Sequence, residues 1–178
     1  MADFLTELLQ FLQNAYNTPS IFLPLVVLYA IAIAVVLPIP IELTLLLPII
    51  NQQWAYLGGI ALALAVGKMV GAWLVFLLGV NVEKYIRRWS ARWRVADWFV
   101  KKADLFVQRT GYLGLYVLLS IPLMSDTIPI YLYSLFNVEG KALQRNMFLV
   151  ANFLAALNRV AILVVLYFVG LNLFSMLT

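Results

Sequence analysis

The sequence contains no cysteine and no histidine among its 178 residues. These absences exclude disulfides, thiolate chemistry, the usual zinc sites and histidine proton relays. Any group that carries a proton must therefore be a carboxylate, a lysine or a tyrosine. We expect neither a metal site nor a cofactor.

Charged residues are also scarce, at 11% of the chain, whereas 65% of the residues are hydrophobic and the mean hydropathy is +0.97. These values lie far outside the range of soluble globular proteins. Two apolar runs are long enough to cross a hydrocarbon core of about 30 Å. They extend from Tyr56 to Gly79, interrupted by Lys68, and from Met147 to Phe174, interrupted mainly by Arg159. The sequence therefore predicts an all-α, multi-pass membrane protein that forms one membrane domain over residues 1–178.

Most of the net charge of +4 comes from residues 81–110, which lie between the two hydrophobic halves. Nucleic-acid binding and contact with anionic lipid headgroups are both compatible with such a basic segment. Trp89 and Trp93 share one helical face and, with Trp98, favour the membrane interface. Basic segments of this length mark the cytoplasmic side, so we expect an amphipathic cytoplasmic linker, a location in the cytoplasmic (inner) membrane and no nucleic-acid partner. Residues 1–19 are expected to form an amphipathic lead-in helix, without the features of a signal peptide.

Each half contains one carboxylate within an apolar run that is broken by prolines. Glu42 follows Pro38 by four residues, and Asp126 follows Pro122 by four residues. The equal spacing is the first indication of an internal duplication.

Each half then continues into an apolar run that carries one cation. Lys68 precedes Gly79 by eleven residues, and Arg159 precedes Gly170 by eleven. We expect each run to be a spanning helix that ends at its glycine.

The repeats are expected at residues 20–80 and 111–174. With the basic linker in the cytoplasm, the first spanning helix enters it from outside and the second leaves it, so the two halves have opposite orientations. This arrangement is the inverted repeat of many transporters.

The segment that follows Pro40, Ile41 to Ile50, is too short to cross a membrane alone, because ten helical residues extend only about 15 Å. Proline removes a backbone donor and stops a helix, which suits the tip of a re-entrant hairpin. We therefore predict re-entrant hairpins at about 30–50 and about 112–136, with these prolines at the tips: Pro38, Pro40, Pro122 and Pro129. In the alternative, the prolines only kink a continuous spanning helix over residues 21–50.

Opposed hairpins would bring Glu42 and Asp126 together near the bilayer centre. An isolated charge there costs at least roughly 2.5 to 3.5 kcal/mol, so four ionisable groups at related positions favour a functional site. We expect the two acids to bind a coupling proton or sodium ion, and Lys68 and Arg159 to hold either these acids or a substrate phosphate. In the alternative, Glu42 pairs with Lys68 and Asp126 with Arg159, only to neutralise buried charge.

Small residues recur along the first spanning helix at intervals that allow close helix packing. The glycines assigned to this packing are Gly59, Gly67, Gly71 and Gly79, with Ala63 between the first two.

Three stretches resemble the DedA family, also called the VTT or SNARE-associated Golgi protein family of membrane proteins. They are GKMVGAWLVFLLG at residues 67–79, VLPIPIE at residues 36–42, and GYLGLYVLLSIPLMSD at residues 111–126. The chain departs from the family pattern at Leu119 and Ser125, which replace two arginines, and at Ala72 and Phe76. The resemblance implies two opposed hairpins and a role in phospholipid scrambling or in the recycling of polyprenyl-phosphate carriers, coupled to protons or sodium.

We therefore expect a non-enzymatic transporter whose partners are membrane lipids, polyprenyl phosphate and protons or sodium. The sequence leaves open whether the chain forms a homo-oligomer. A cation-coupled exporter of small solutes or drugs is the main alternative. An intramembrane enzyme is disfavoured because the GxGD motif and clustered aspartates are absent from the sequence. A non-catalytic membrane scaffold is a further alternative, and such a protein would act through its basic linker.

Overall fold

The structure, a computed structural model, describes residues 15–36, 42–90, 94–136 and 143–177. These residues form helices and connecting turns without strands. The helices are α1 (Pro19–Val35), α2 (Leu43–Ile50), α3 (Trp54–Ser90), α4 (Arg94–Ser120), α5 (Thr127–Leu135) and α6 (Arg145–Leu177). The all-helical prediction is confirmed.

Two of these helices contain stretches long and apolar enough to cross a membrane, Trp54–Gly79 in α3 and Arg145–Gly170 in α6. Each stretch has 26 residues, which corresponds to roughly 39 Å of helix. Both helices continue beyond the glycine, so the prediction that Gly79 and Gly170 end their helices is wrong. A glycine weakens a helix by about 1 kcal/mol relative to alanine, but it does not stop the helix when good helix formers follow.

Helices α3 and α6 run antiparallel. Phe76 lies against Phe148 near the start of α6, with ring centroids 5.1 Å apart, while Trp54 stacks on Phe168 at 5.2 Å near the other end. Lys68 and Arg159 therefore lie in the central parts of two long, oppositely directed helices.

Helix α1 packs along α3 in the same direction. A Cβ atom added to Gly67 would lie 2.5 Å from the Val27 carbonyl oxygen, and one added to Gly71 would lie 2.6 Å from the Ala34 Cβ. Larger side chains at these two positions would push the helices apart. At Gly59 the nearest atom would be 3.7 Å away, an ordinary contact, so glycine is not required there.

The chain turns back between α1 and the start of α3. The Tyr16 hydroxyl, just before α1, donates to the Gln53 side chain, and the Tyr56 hydroxyl donates to the Tyr16 carbonyl at 2.8 Å. Residues 19–50 thus begin and end at the same end of α3, which contradicts the alternative of one kinked helix. The predicted tip with Pro38 and Pro40 lies outside the described residues.

The second half also forms a hairpin. Helix α4 is kinked at Gly111, whose φ of 51° is readily adopted only by glycine, and its last part leads to a break at residues 121–126. Helix α5 then returns, so that the hydroxyls of Tyr133 and Thr110 are hydrogen-bonded. Ser134 donates to the Val75 carbonyl at 2.8 Å, which places the open end of this hairpin near Gly79. The two hairpins therefore enter from opposite ends of α3.

The predicted linker at 81–110 belongs to helices where it is described: α3 extends to Ser90 and α4 begins at Arg94. Trp98, Lys101 and Lys102 are exposed, and the Lys102 ammonium lies 5.8 Å from the centroid of the Trp98 ring. The lead-in segment expected before Pro19 falls mostly on residues outside the described ranges.

Candidate functional site

The two acids occupy equivalent places, each immediately before a short helix. The Glu42 carbonyl accepts a hydrogen bond from the Leu45 N–H at 2.9 Å, and the Asp126 carbonyl accepts one from the Ile130 N–H at 3.2 Å. Asp126 is the N-cap residue of α5, yet its side chain makes no capping hydrogen bond. Its carboxylate is directed instead at the cations of the long helices.

The two bases also occupy equivalent places. Lys68 lies fourteen residues after Trp54, the first residue of α3, and Arg159 lies fourteen residues after Arg145, the first residue of α6. Because α3 and α6 are antiparallel, these central positions meet at the level of Glu42 and Asp126.

The structure brings all four predicted residues together. Asp126 Oδ1 lies 2.9 Å from Lys68 Nζ and 2.9 Å from Arg159 Nη2. Glu42 Oε1 lies 3.4 Å from Arg159 Nη1. We call these four side chains the ionic quartet. They form a row in the order Lys68, Asp126, Arg159, Glu42.

The pairing differs from the alternative in which each half neutralises its own charges. The Asp126–Arg159 pair is present, but Lys68 pairs with Asp126 of the other half, and Glu42 pairs with Arg159 of the other half. Sequence spacing indicated which groups are equivalent. It could not indicate the partners, because these depend on how the two halves pack.

The quartet is almost completely buried: Glu42 is 3% exposed, and the other three side chains belong to residues that are 1% exposed. Two carboxylates and two cations give no net charge, which lowers the cost of burial. Desolvation still costs several kcal/mol per ion unless geometry and further hydrogen bonds are excellent.

The hydrogen bonds of the quartet are incomplete. Three of its buried atoms make neither a hydrogen bond to a described residue nor one of the three ion-pair contacts: Glu42 Oε2, Asp126 Oδ2 and Arg159 Nε. The Ser125 hydroxyl beside Asp126 is likewise unpartnered. The two carboxylate oxygens can accept a proton or an ion, and Arg159 Nε can donate to water or to a polar headgroup, without first breaking one of the ion pairs.

The tip of the second hairpin contacts the first acid directly. The Leu123 N–H donates to Glu42 Oε1 at 2.8 Å, across 81 residues of sequence. Leu123 has a φ of 62°, which a residue with a side chain adopts only at a cost of about 1–2 kcal/mol. Sequence reasoning missed this contact, because neither the positive φ nor the backbone donor leaves a signal at a leucine.

A second contact between the halves was also missed. The side chains of Thr127 and Tyr131 in α5 donate to the carbonyls of Ile33 and Val35 at the end of α1, at 2.7 and 2.9 Å. The last carbonyls of a helix lack partners within the helix, so α5 satisfies the C-terminal end of α1.

The prolines of the second half are located at and near the break. Pro122 lies within the non-helical residues 121–126, and Pro129 lies in the first turn of α5, where a missing N–H is tolerated. Gly79 lies where the long helix meets α5, since an added Cβ would be 2.8 Å from the Ser134 carbonyl carbon. Within the described ranges, no group of three acidic side chains is placed to hold a metal ion.

The chain matches no protein-family model, no curated protein and no solved structure. The resemblance to the DedA family therefore stays a prediction, carried by the three stretches quoted above. We infer the function from the ionic quartet and from the two hairpins that contribute Glu42 and Asp126 to it.

Proposed function

We propose that this protein is a multi-pass protein of the cytoplasmic membrane, in which α3 and α6 span the bilayer and the two hairpins dip into it from opposite faces. Exposed apolar side chains support this arrangement, because soluble proteins rarely expose large continuous apolar surfaces. Such side chains are found along α3, α4 and α6: Leu62, Trp73, Leu74, Leu77, Leu78, Leu113, Val117, Val165, Leu166, Phe168 and Val169. Only a third of the apolar stretch of α6 is buried.

In this proposal the halves are an inverted repeat of the DedA type. Each half has a helix, a break, a short helix beginning after an acid and a long helix with a central cation. The opposite directions of α3 and α6, and of the two hairpins, support the inversion. The exposed basic residues at the start of α4, including Lys101 and Lys102, would lie on the cytoplasmic face.

The proposed function is the translocation of a lipid headgroup, either by phospholipid scrambling or by the recycling of a polyprenyl-phosphate carrier. The observation that carries it is the ionic quartet at the junction of two opposed hairpins. A buried set of charges with incomplete hydrogen bonds is unfavourable for stability alone, and intramembrane ionisable groups usually mark a transport route. No chemical step is catalysed.

Each member of the quartet has a proposed role. Glu42 and Asp126 take up the coupling proton or sodium ion, which releases the cations that they hold. Arg159, which contacts both acids, and Lys68 then bind the phosphate of the headgroup. Arginine is suited to this exchange, because its planar guanidinium can move from a carboxylate to a phosphate with similar geometry.

Reconstitution tests the choice between lipids and soluble solutes. The purified protein is incorporated into liposomes that contain a fluorescent phospholipid, and dithionite is added outside at two pH values. We expect the inner-leaflet fluorescence to be lost faster than in protein-free liposomes, with a rate that changes between the two pH values.

Lipids that carry no fluorophore should slow this loss by competition, whereas soluble organic cations should not. The lipid assignment would be contradicted if the protein accelerated the loss of inner-leaflet fluorescence for neither fluorescent phospholipids nor fluorescent polyprenyl phosphates. Slowing of the fluorescence loss by soluble organic cations, without slowing by unlabelled lipids, would favour an exporter of small solutes.

A further inference from the structure

A cleft opens at the end of α3 farthest from Gly79, well away from the ionic quartet. Its volume is about 590 Å³, within the range of small-molecule sites. The walls come from the chain that precedes α1 and from the start of α3, the two segments that bracket the first hairpin. Lining residues include Tyr16, Asn17, Pro19, Gln53, Trp54 and Tyr56.

The hydroxyl protons of the two tyrosines in the cleft are used within the fold, and the Asn17 and Gln53 amides are neutral. The Tyr16 hydroxyl donates its proton to Gln53 Oε1, and the Tyr56 hydroxyl donates its proton to the Tyr16 carbonyl. Both phenolic protons are thus committed, so the tyrosines offer only oxygen lone pairs and ring electrons to a ligand. None of the residues that line the cleft carries a formal charge.

Trp54 offers the most accessible aromatic surface. One face of its indole is stacked on Phe168 at 5.2 Å and 21°, while 40% of the residue is exposed. The rings of Tyr16 and Tyr56 contact each other edge-on at 5.2 Å, beside it in the same cleft. The face of an aromatic ring carries partial negative charge, which attracts a positively charged ligand.

We propose that this cleft binds a quaternary ammonium group, such as the trimethylammonium head of choline. A quaternary ammonium has no N–H to donate, so it needs no carboxylate and is recognised by aromatic faces. A primary ammonium would leave donors without strong acceptors, and an oxoanion would find no cation. The ligand class follows from the cleft itself, whereas its assignment to a membrane lipid rests on the proposed function.

Calorimetry on the full-length protein in a maltoside detergent tests the ligand class. Tetramethylammonium chloride is titrated into the protein, with sodium chloride and ammonium chloride as ionic controls. We expect saturable binding of tetramethylammonium and no saturable binding of the two control salts. Equal binding of ammonium would contradict recognition by aromatic faces.

Matched variants locate the site. Trp54→Leu should weaken binding by at least about fivefold, as expected for the loss of a cation–π contact, while Trp54→Phe should retain most of the affinity. Trp73→Leu is the control, because Trp73 lies on the same helix, is also 40% exposed and does not line the cleft. The same affinity in Trp54→Leu and Trp73→Leu, with both variants folded, would overturn the proposal.

A vesicle experiment identifies the source of the group. With the protein in phosphatidylglycerol vesicles, added phosphatidylcholine should displace labelled tetramethylammonium if the ligand is a lipid headgroup. Displacement by glycerophosphocholine but not by phosphatidylcholine would assign a soluble ligand to the same cleft. Because these measurements do not require transport, a protein that binds tetramethylammonium but does not accelerate lipid translocation would refute the proposed function and leave the cleft assigned.

Discussion

The Lys68 ammonium of the first half lies 2.9 Å from the Asp126 carboxylate of the second half. Asp126 also contacts Arg159 at 2.9 Å, whereas Glu42 has a single, looser ion pair with Arg159 at 3.4 Å. Asp126 is therefore the acid that holds both cations, and Glu42 is the acid at the end of the row. This asymmetry leads to different consequences when each acid is neutralised.

Asp126→Asn should destabilise the protein more than Glu42→Gln. Loss of the Asp126 charge leaves Lys68 without its ion pair, and breaking a buried pair in this way costs about 3–5 kcal/mol. Loss of the Glu42 charge leaves Arg159 paired with Asp126, so the cost should be smaller. Thermal unfolding in detergent, followed by circular dichroism, measures both effects.

The double variant Asp126→Asn, Lys68→Met is the control. Removal of the unpaired cation should recover part of the stability that Asp126→Asn loses. If Glu42→Gln were the more destabilising single change, the order of the row would be wrong.

Gly67→Ala should separate α1 from α3, because the new Cβ would lie 2.5 Å from the Val27 carbonyl oxygen. Backbone cannot move as a flexible side chain can, so we expect a loss of about 1–3 kcal/mol. Gly58→Ala on the same helix is the matched control, since no atom lies within 4 Å of its added Cβ. Its stability should be unchanged or raised by up to about 1 kcal/mol. Comparable losses in the two variants would argue against close packing of these helices.

Leu123→Gly should have little effect on the stability or should raise it slightly. The leucine is 72% exposed and adopts a φ of 62°, so the glycine relieves strain and removes little packing. Leu113→Gly serves as the comparison, because Leu113 is 74% exposed but lies in α4, where glycine should cost about 1 kcal/mol. Unfolding midpoints that fall equally in both variants would show that Leu123 is not strained.

Single cysteines should be labelled from opposite sides of the membrane. The chain has no cysteine of its own, so Gln52→Cys and Lys101→Cys each introduce one reactive thiol at an exposed position. In intact cells, a membrane-impermeant maleimide should modify the thiol at position 52 and should reach position 101 only after permeabilisation. Modification of both from outside would contradict the proposed orientation.

Much of the site could be predicted from the sequence. Glu42 and Asp126 were identified because carboxylates in apolar, proline-broken runs are costly, and Lys68 and Arg159 because they interrupt runs of spanning length. Residues 41–50 are too few to cross a membrane as a helix, which predicted a hairpin, and the return of the chain to Gln53 agrees with that prediction.

Other features depend on tertiary structure and could not be read from local patterns. The partner of Lys68 is decided by how the halves pack, so sequence spacing could not indicate it; the alternative that paired Lys68 with Glu42 is wrong, because Lys68 pairs with Asp126. The continuation of α3 past Gly79 was missed because a glycine in a periodic pattern looks the same at a helix end and at a close contact. Here it makes room for Ser134.

If lipids are moved at the ionic quartet, neutralising either of its acids should stop translocation. Dithionite quenching in liposomes, carried out on Glu42→Gln, Asp126→Asn and the wild-type protein, measures this effect. Asp104→Asn, which neutralises a carboxylate of α4 outside the quartet, is the control. We predict that both quartet variants stay folded and lose translocation to the protein-free rate, while Asp104→Asn retains the wild-type rate. Wild-type translocation in both folded quartet variants would show that lipids are not moved at the quartet.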